Sequence, residues 1–246
     1  MPERAGSYLC GPMRIATLFL LLFLATTFAC SRFQRVQKRG TLEEKYQAAL
    51  KYYEKKDYLR AGMLFEEIIP LLQGSEKAEK AQFYFAHSHF HQKQYTLAAF
   101  YFKRFADTFA RSPLVEEAAY MYVNSLYEDT PDYNLDQSNT LSTVEAAQTF
   151  LNTYSQSTYA PKVIEILNGL RVRLELKAYD NAKLYYRINN YKAAVIAITN
   201  FARDFPDSKF NEELAYLRLI SQVRYARESL ESGKALQAFK GFMSAN

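Results

Sequence analysis

KYQAALKYYEKKDYLRAGMLFEEIIP, Lys45 to Pro70, sets small and ring side chains in a fixed order: Ala49, Tyr53, Tyr58, Ala61, Phe65. The offsets from the first alanine are 4, 9, 12 and 16, and they return 37 residues later as Ala86, Phe90, Tyr95, Ala98, Phe102. A third copy keeps them as Ala182, Tyr186, Tyr191, Ala194, Ile198. Residues four apart share one face of a helix, so each alanine lets a neighbouring helix approach and each ring fills the space beside it. Glu54-Lys55-Lys56-Asp57 is too polar to continue that face and reads as a turn, as do His91 to Gln94 and Arg187 to Asn190. The unit is therefore helix, turn, helix, and one unit cannot bury its apolar face alone, so neighbours must stack.

The second helix of each unit ends alike. Phe105, Phe109 and Ser112 repeat as Phe150, Tyr154, Ser157 and as Phe201, Phe205, Ser208, with Ile68, Leu72, Ser75 a weaker version. The serines are placed to cap the next helix, and Pro206 falls where a helix should stop. The serine spacings of 37, 45 and 51 lengthen because Glu128 to Asn139 is an insert in the third unit and Tyr159 to Tyr186 reads as one long helix. A fifth unit starts near Asn211. Ala235, Phe239 and Phe242 fit its later offsets, and its last helix is short or cut off by the end of the sequence. The expected fold is all-α, a right-handed superhelical solenoid of about five tetratricopeptide-like repeats.

The 246 residues are 49% hydrophobic, enough for a sizeable core. Tyrosine (20) and phenylalanine (18) abound and tryptophan is absent. A net charge of +5 suits an anionic protein or membrane surface but lacks the dense stripe of a nucleic-acid binder. Arg4 and Arg14 precede an apolar run from Ile15 to Phe28, too short to span a bilayer and placed like a secretory signal, with Met13 an alternative start. Cys30 closes that segment. It reads as the lipid-bearing first residue of a bacterial lipoprotein, or as an incidental cysteine after an ordinary signal peptide. Ser31 to Gly40, with Arg32, Arg35, Lys38 and Arg39, reads as a basic tether for anionic headgroups or as a solvated linker.

No phosphate-binding glycine loop, nucleophile elbow or CxxC motif is present. His87 and His91 stand four apart, yet no carboxylate or cysteine joins them at ligand spacing, so a helix-surface role is favoured over a metal. Glu66-Glu67 and Glu116-Glu117 read as solvated faces. An enzyme is thus the least favoured class. The tyrosines outside the repeated offsets, Tyr46, Tyr52, Tyr84, Tyr101, Tyr120 and Tyr185, are candidates for gripping an extended peptide, though about half of such rings would pack against the preceding unit.

Lys45–Pro70 is followed by YTLAAFYFKRFADTFARSPLVEEAAY (Tyr95–Tyr120), LDQSNT (Leu135–Thr140), LRVRLELKAYDNAKLYYRINNYKAAV (Leu170–Val195) and DFPDSKFNEEL (Asp204–Leu214). In this order, from Cys30 to about residue 230, the chain resembles the BamD family, lipoprotein subunits of the machinery that assembles outer-membrane β-barrels in Gram-negative bacteria. The resemblance implies a signal peptide over 1–29, a lipidated tether over 30–40, a client-binding half over 41–158 and a docking half for the barrel subunit BamA over 159–246. It implies a lipid anchor at the periplasmic face of the outer membrane and no cofactor beyond the diacylglycerol and N-acyl groups on Cys30. The partners implied are BamA, unfolded outer-membrane protein segments and outer-membrane lipid, with no nucleic acid and no small-molecule substrate. The family's L-x-x-R-L-x-x-K pattern falls on Leu170, Arg173, Leu174 and Lys177, which implies docking through Arg173, with Arg171 a lesser candidate. The local alternative for Arg173 is an ion pair with Glu165 or Glu175. Two rival classes are a glycan-binding repeat lipoprotein, which would favour tryptophan, and a periplasmic repeat protein of cell division, which would carry a coiled coil before its repeats.

Overall fold

The computed structural model describes residues 32–245, with side chains over 32–233. Every regular element among them is helical. Helix α1 (residues 32–39) precedes α2 (Leu42–Glu54) and α3 (Tyr58–Ile68), which continues as a short 3-10 turn over Ile69–Leu72. Then come α4 (Glu76–His91), α5 (Tyr95–Thr108), α6 (Val115–Glu128), α7 (Ser138–Thr153), α8 (Ala160–Arg187), α9 (Tyr191–Asp204) and α10 (Asn211–Ala245). The pairs α2/α3, α4/α5 and α8/α9 pack as helix-turn-helix hairpins, so the all-α repeat fold holds.

The polar turns share one backbone solution. Lys56, Lys93 and Asn189, each seven residues past the leading alanine, all have φ 60. The next amide donates to a carbonyl five residues back in each case: Asp57 to Tyr52 (2.9 Å), Gln94 to His89 (3.0 Å), Asn190 to Tyr185 (2.9 Å). This is the Schellman closure, which satisfies the last carbonyls of one helix while turning the chain. Asp57 and Asn190 then cap α3 and α9 through their side chains, accepting from the amides of Arg60 and Ala193. At the far end of each hairpin a ring pair recurs. Phe105–Phe109, Phe150–Tyr154 and Phe201–Phe205 have centroids 5.1, 5.3 and 5.2 Å apart. Ser112, Ser157 and Ser208 accept from the amide two residues on, which bends the chain into the next helix. Ser75 does not cap in this way; its hydroxyl donates back to Leu72.

The chain divides into two compact units between Ser125 and Leu126. In the first, Ala49, Ala61, Phe65 and Ile68 form one core and Ala86, Ala98, Phe102 and Phe105 another, with Ala118 and Met121 of α6 closing it. Burying a phenylalanine ring stabilises by about 2–3 kcal/mol. In the second, Ala182, Ile198, Phe201 and Leu214 do the same work. The insert and α7 fall in the second unit, with α7 packed on α8.

Two further expectations change. The tether is a helix, and its Phe33 is buried in the first core, edge-on to Tyr52 at 5.6 Å. The four charges of the segment hide an apolar pair, Phe33 and Val36, at helical spacing. The fifth unit is no hairpin: α10 runs 35 residues without a break. The residues after Ser221 are mostly good helix formers, and the helix runs through the polar stretch Glu231 to Lys234.

Candidate functional site

The first unit holds five of the six ring candidates, and these five are turned inward; the sixth, Tyr185 on α8 in the second unit, is 38% exposed. A capping box between Thr41 and Glu44 fixes the start of α2 and with it the facing of Tyr46. Tyr46 is 5% exposed, and burial pushes its phenol pKa up. It is a core residue, which removes it from any gripping surface. Tyr52 is half-buried beneath α1, with the Arg60 guanidinium 5.8 Å over its ring. Tyr84 packs on Tyr53 at 4.7 Å and stacks on Phe65 at 6.4 Å. Tyr101 lies against Phe85 at 4.7 Å and His89 at 5.1 Å. Tyr120 is partly buried on the second core. A helix held between two neighbouring hairpins buries a wide arc, so rings outside the repeated offsets are still covered.

The exposed apolar groups of this unit are others. Leu59 and Met63 stand on α3 at 61% and 39% exposure, and Leu97 and Phe100 on α5 at 46% and 57%. Met63 and Phe100 hold the same repeat position, fourteen residues past the leading alanine, and Ile196, 54% exposed, holds it in the fourth hairpin. That further recurring offset was available in the sequence and marks the outward face of α3, α5 and α9.

Among the described residues no group of three or more His, Cys, Asp or Glu side chains is placed to hold an ion, and His87 is buried instead of lying on the helix surface as the sequence suggests. His91 stacks on Tyr58 at 4.2 Å. His87 is buried among Phe83 and Phe102, and desolvation lowers its pKa to about 4. It is neutral, so its approach to Glu117 at 3.8 Å is not an ion pair.

In the second unit one face of α8 binds the insert. Gly169, Arg173 and Lys177 are spaced by four. The missing side chain at Gly169 admits Tyr127, whose hydroxyl would lie 3.0 Å from an added Cβ. The Arg173 guanidinium sits 4.8 Å over the Tyr127 ring and donates to Thr130 Oγ1. Lys177 Nζ donates to the Asn134 carbonyl (2.7 Å). The insert is also tied from within by Gln137, whose amide donates to the Asp132 and Leu135 carbonyls and whose carbonyl accepts from Thr140. Neither Glu165 nor Glu175 pairs with Arg173 among the described residues; Tyr127 and Thr130 take that place. Sequence spacing could not find them, since they lie more than forty residues away.

Arg171 is two positions off, on the opposite side of the helix. It reaches Asp207 at 4.0 Å across a groove of 570 Å³ whose apolar walls include Val172, Phe205 and Phe210. Both partners are exposed, so the pair contributes little. Arg171 and Arg173 thus belong to two different surfaces. Further along the same face of α8, Tyr179 stacks on Phe210 at 4.1 Å, and Lys183 and Tyr179 both donate to Glu213, which holds that carboxyl below its usual range.

Cys30, the candidate for lipidation, lies outside the described residues, as do Cys10 and the apolar run from Ile15. Among the described residues no helix is long and apolar enough to cross a membrane.

A family model described as YfiO, outer membrane lipoprotein, matches residues 38–222. The chain is also similar to a protein of Aquifex aeolicus (strain VF5) named putative outer membrane protein assembly factor BamD, with 30% identity over 220 residues, covering 86% of this chain and 72% of that one.

Proposed function

The chain belongs to the YfiO family of outer membrane lipoproteins, and from that premise we propose that it is a lipid-anchored, non-enzymatic scaffold of the machinery that folds and inserts outer-membrane β-barrels. The acyl groups on Cys30 hold it at the periplasmic leaflet. The first unit takes unfolded client segments. The second fastens the periplasmic domains of a BamA-type barrel subunit. Support for client binding comes from the outward apolar positions Met63 and Phe100, with Leu59 and Leu97 beside them in sequence. Side chains of this kind, left in water at repeated positions, suit alternating side chains of an extended β-strand precursor. Tyr52, Tyr84, Tyr101 and Tyr120 are packed partly into the cores instead, with Tyr101 edge-on to Phe100 at 5.1 Å.

Docking of the barrel subunit rests on α8 and the insert it carries. Arg173 acts there by fixing the insert, and its half-exposed guanidinium is left able to take a partner's carboxylate. The single observation carrying the whole reading is the family match across both units.

Photocrosslinking groups at Met63 and Phe100 capture β-barrel precursors in cells, while the same group at Ala61, sealed in the core, captures none. Clean lanes at both outward positions would remove the client-binding assignment. Recovery of an undiminished barrel subunit with Arg173→Glu in a pull-down would remove the docking assignment.

A further inference from the structure

A small cavity of 170 Å³ lies between α1 and α2. Arg32 from α1 and Lys51 and Lys55 from α2 stand at its rim; Val36, Ala48 and Tyr52 line the rest. The two lysines are four apart and so share a helix face. All three cations are exposed, no carboxylate lines the cavity, and no ion pair engages any of them among the described residues. Three like charges around one hollow repel each other until an anion enters. The volume is below the roughly 300–1,000 Å³ of pockets that take whole small molecules, so the hollow suits one compact anionic group. Cations above an apolar floor match a headgroup phosphate with the top of its acyl chain beneath it, because lysine and arginine keep their charge at the water side while their stems lie on apolar surface.

Position adds an independent argument, which rests on the lipoprotein reading of Cys30. Arg32 is two residues past that cysteine, and two residues of chain reach at most about 7 Å. An acyl group on Cys30 therefore holds this rim within the headgroup layer. We propose that the α1–α2 cavity binds the phosphate of an anionic phospholipid, with Arg32, Lys51 and Lys55 as its ligands and Val36, Ala48 and Tyr52 as its floor. Together with the acyl anchor this makes a two-point attachment, which sets how the first unit is turned relative to the bilayer.

The test uses the chain without residues 1–29 and carrying Cys30→Ser, so that no acyl group contributes. Its partitioning is measured by co-sedimentation onto phosphatidylcholine vesicles with and without phosphatidylglycerol, at low and high salt. Binding requires phosphatidylglycerol and weakens with salt. Arg32→Gln with Lys51→Gln and Lys55→Gln lowers partitioning about a hundred-fold, or about five-fold per charge, the equivalent of about 1 kcal/mol for each basic residue at a bilayer surface. Arg35→Gln with Lys38→Gln and Arg39→Gln removes the same charge away from the cavity and changes partitioning much less. Equal losses in the two triple variants, or none in the first, would overturn the site. Calorimetric binding of inorganic phosphate as tight as vesicle binding would overturn lipid as the ligand. Far-ultraviolet circular dichroism checks that the exposed substitutions leave the fold intact. The anchor itself is read separately, by intact mass of the chain from membranes. An unmodified Cys30 with vesicle binding preserved sinks the anchor and leaves the cavity site standing, whereas an acylated chain indifferent to the cavity does the reverse.

Discussion

Replacing Arg173 by alanine removes two contacts at once: the guanidinium over the Tyr127 ring at 4.8 Å and the hydrogen bond to Thr130. A half-buried cation–π contact is worth about 0.5–2 kcal/mol, and a hydrogen bond from a charged donor about 1.5–3 kcal/mol. The two share one group and are half in water, so their sum is discounted to a loss of about 2 kcal/mol. Urea unfolding followed by the helical signal measures it. A double-mutant cycle with Tyr127→Leu isolates the ring contact, with a coupling near 1 kcal/mol expected. Because Lys177 still holds Asn134, the insert loosens without coming free. Hydrogen exchange over residues 129–137 speeds up while α9 stays protected. Thr130→Val separates structure from docking: it loosens the insert but keeps the charge, so it retains more barrel subunit in a pull-down than Arg173→Ala does. Additivity of Arg173→Ala and Tyr127→Leu within about 0.3–0.5 kcal/mol would refute the argument, as would unchanged exchange in the insert.

Two other outcomes concern stability. Burial lowers the His87 pKa to about 4, against the ordinary 6.5 that it recovers on unfolding. The unfolded chain therefore binds the extra proton first, and stability falls as pH drops through 6.5 towards 4, then levels off. The difference amounts to about 3 kcal/mol; His87→Leu flattens that part of the pH profile, and a profile as steep as before would count against the assignment. Lys56→Gly and Lys93→Gly relieve side chains held at φ 60 and raise stability by about 1 kcal/mol each in thermal or urea melts, whereas Asn189→Gly gains less because asparagine tolerates that conformation. Melts unmoved by both lysine substitutions would show that the turns carry no strain.

The repeated alanine and ring offsets were legible because both halves of each hairpin obey one helical period, and short polar runs between them left only a turn. The left-handed residue in those turns was not legible at Lys56 and Lys93, where glycine would have announced it. The tyrosines misled for a different reason. Period tells which residues share a face, but not how wide an arc the neighbouring hairpins cover, and Tyr46 and Tyr84 lie within that arc. Phe33 was masked by the charges around it. The setting of Arg173 depends on Tyr127 and Thr130, which only the folded chain brings to α8, so its residue type was readable and its partners were not. Arg171 and Arg173 fall on opposite sides of α8 by simple helical geometry, and this much the sequence alone allowed.

Helix α8 has 28 residues and so is a strut about 42 Å long. Near its middle it grips the insert through Arg173 and Lys177, and just beyond it grips α10 through Tyr179 and Lys183. Tension applied to the insert by a bound partner therefore passes along a stiff rod into α10, instead of dissipating in a loop. A load taken by the insert is felt by α10 without any hinge having to open.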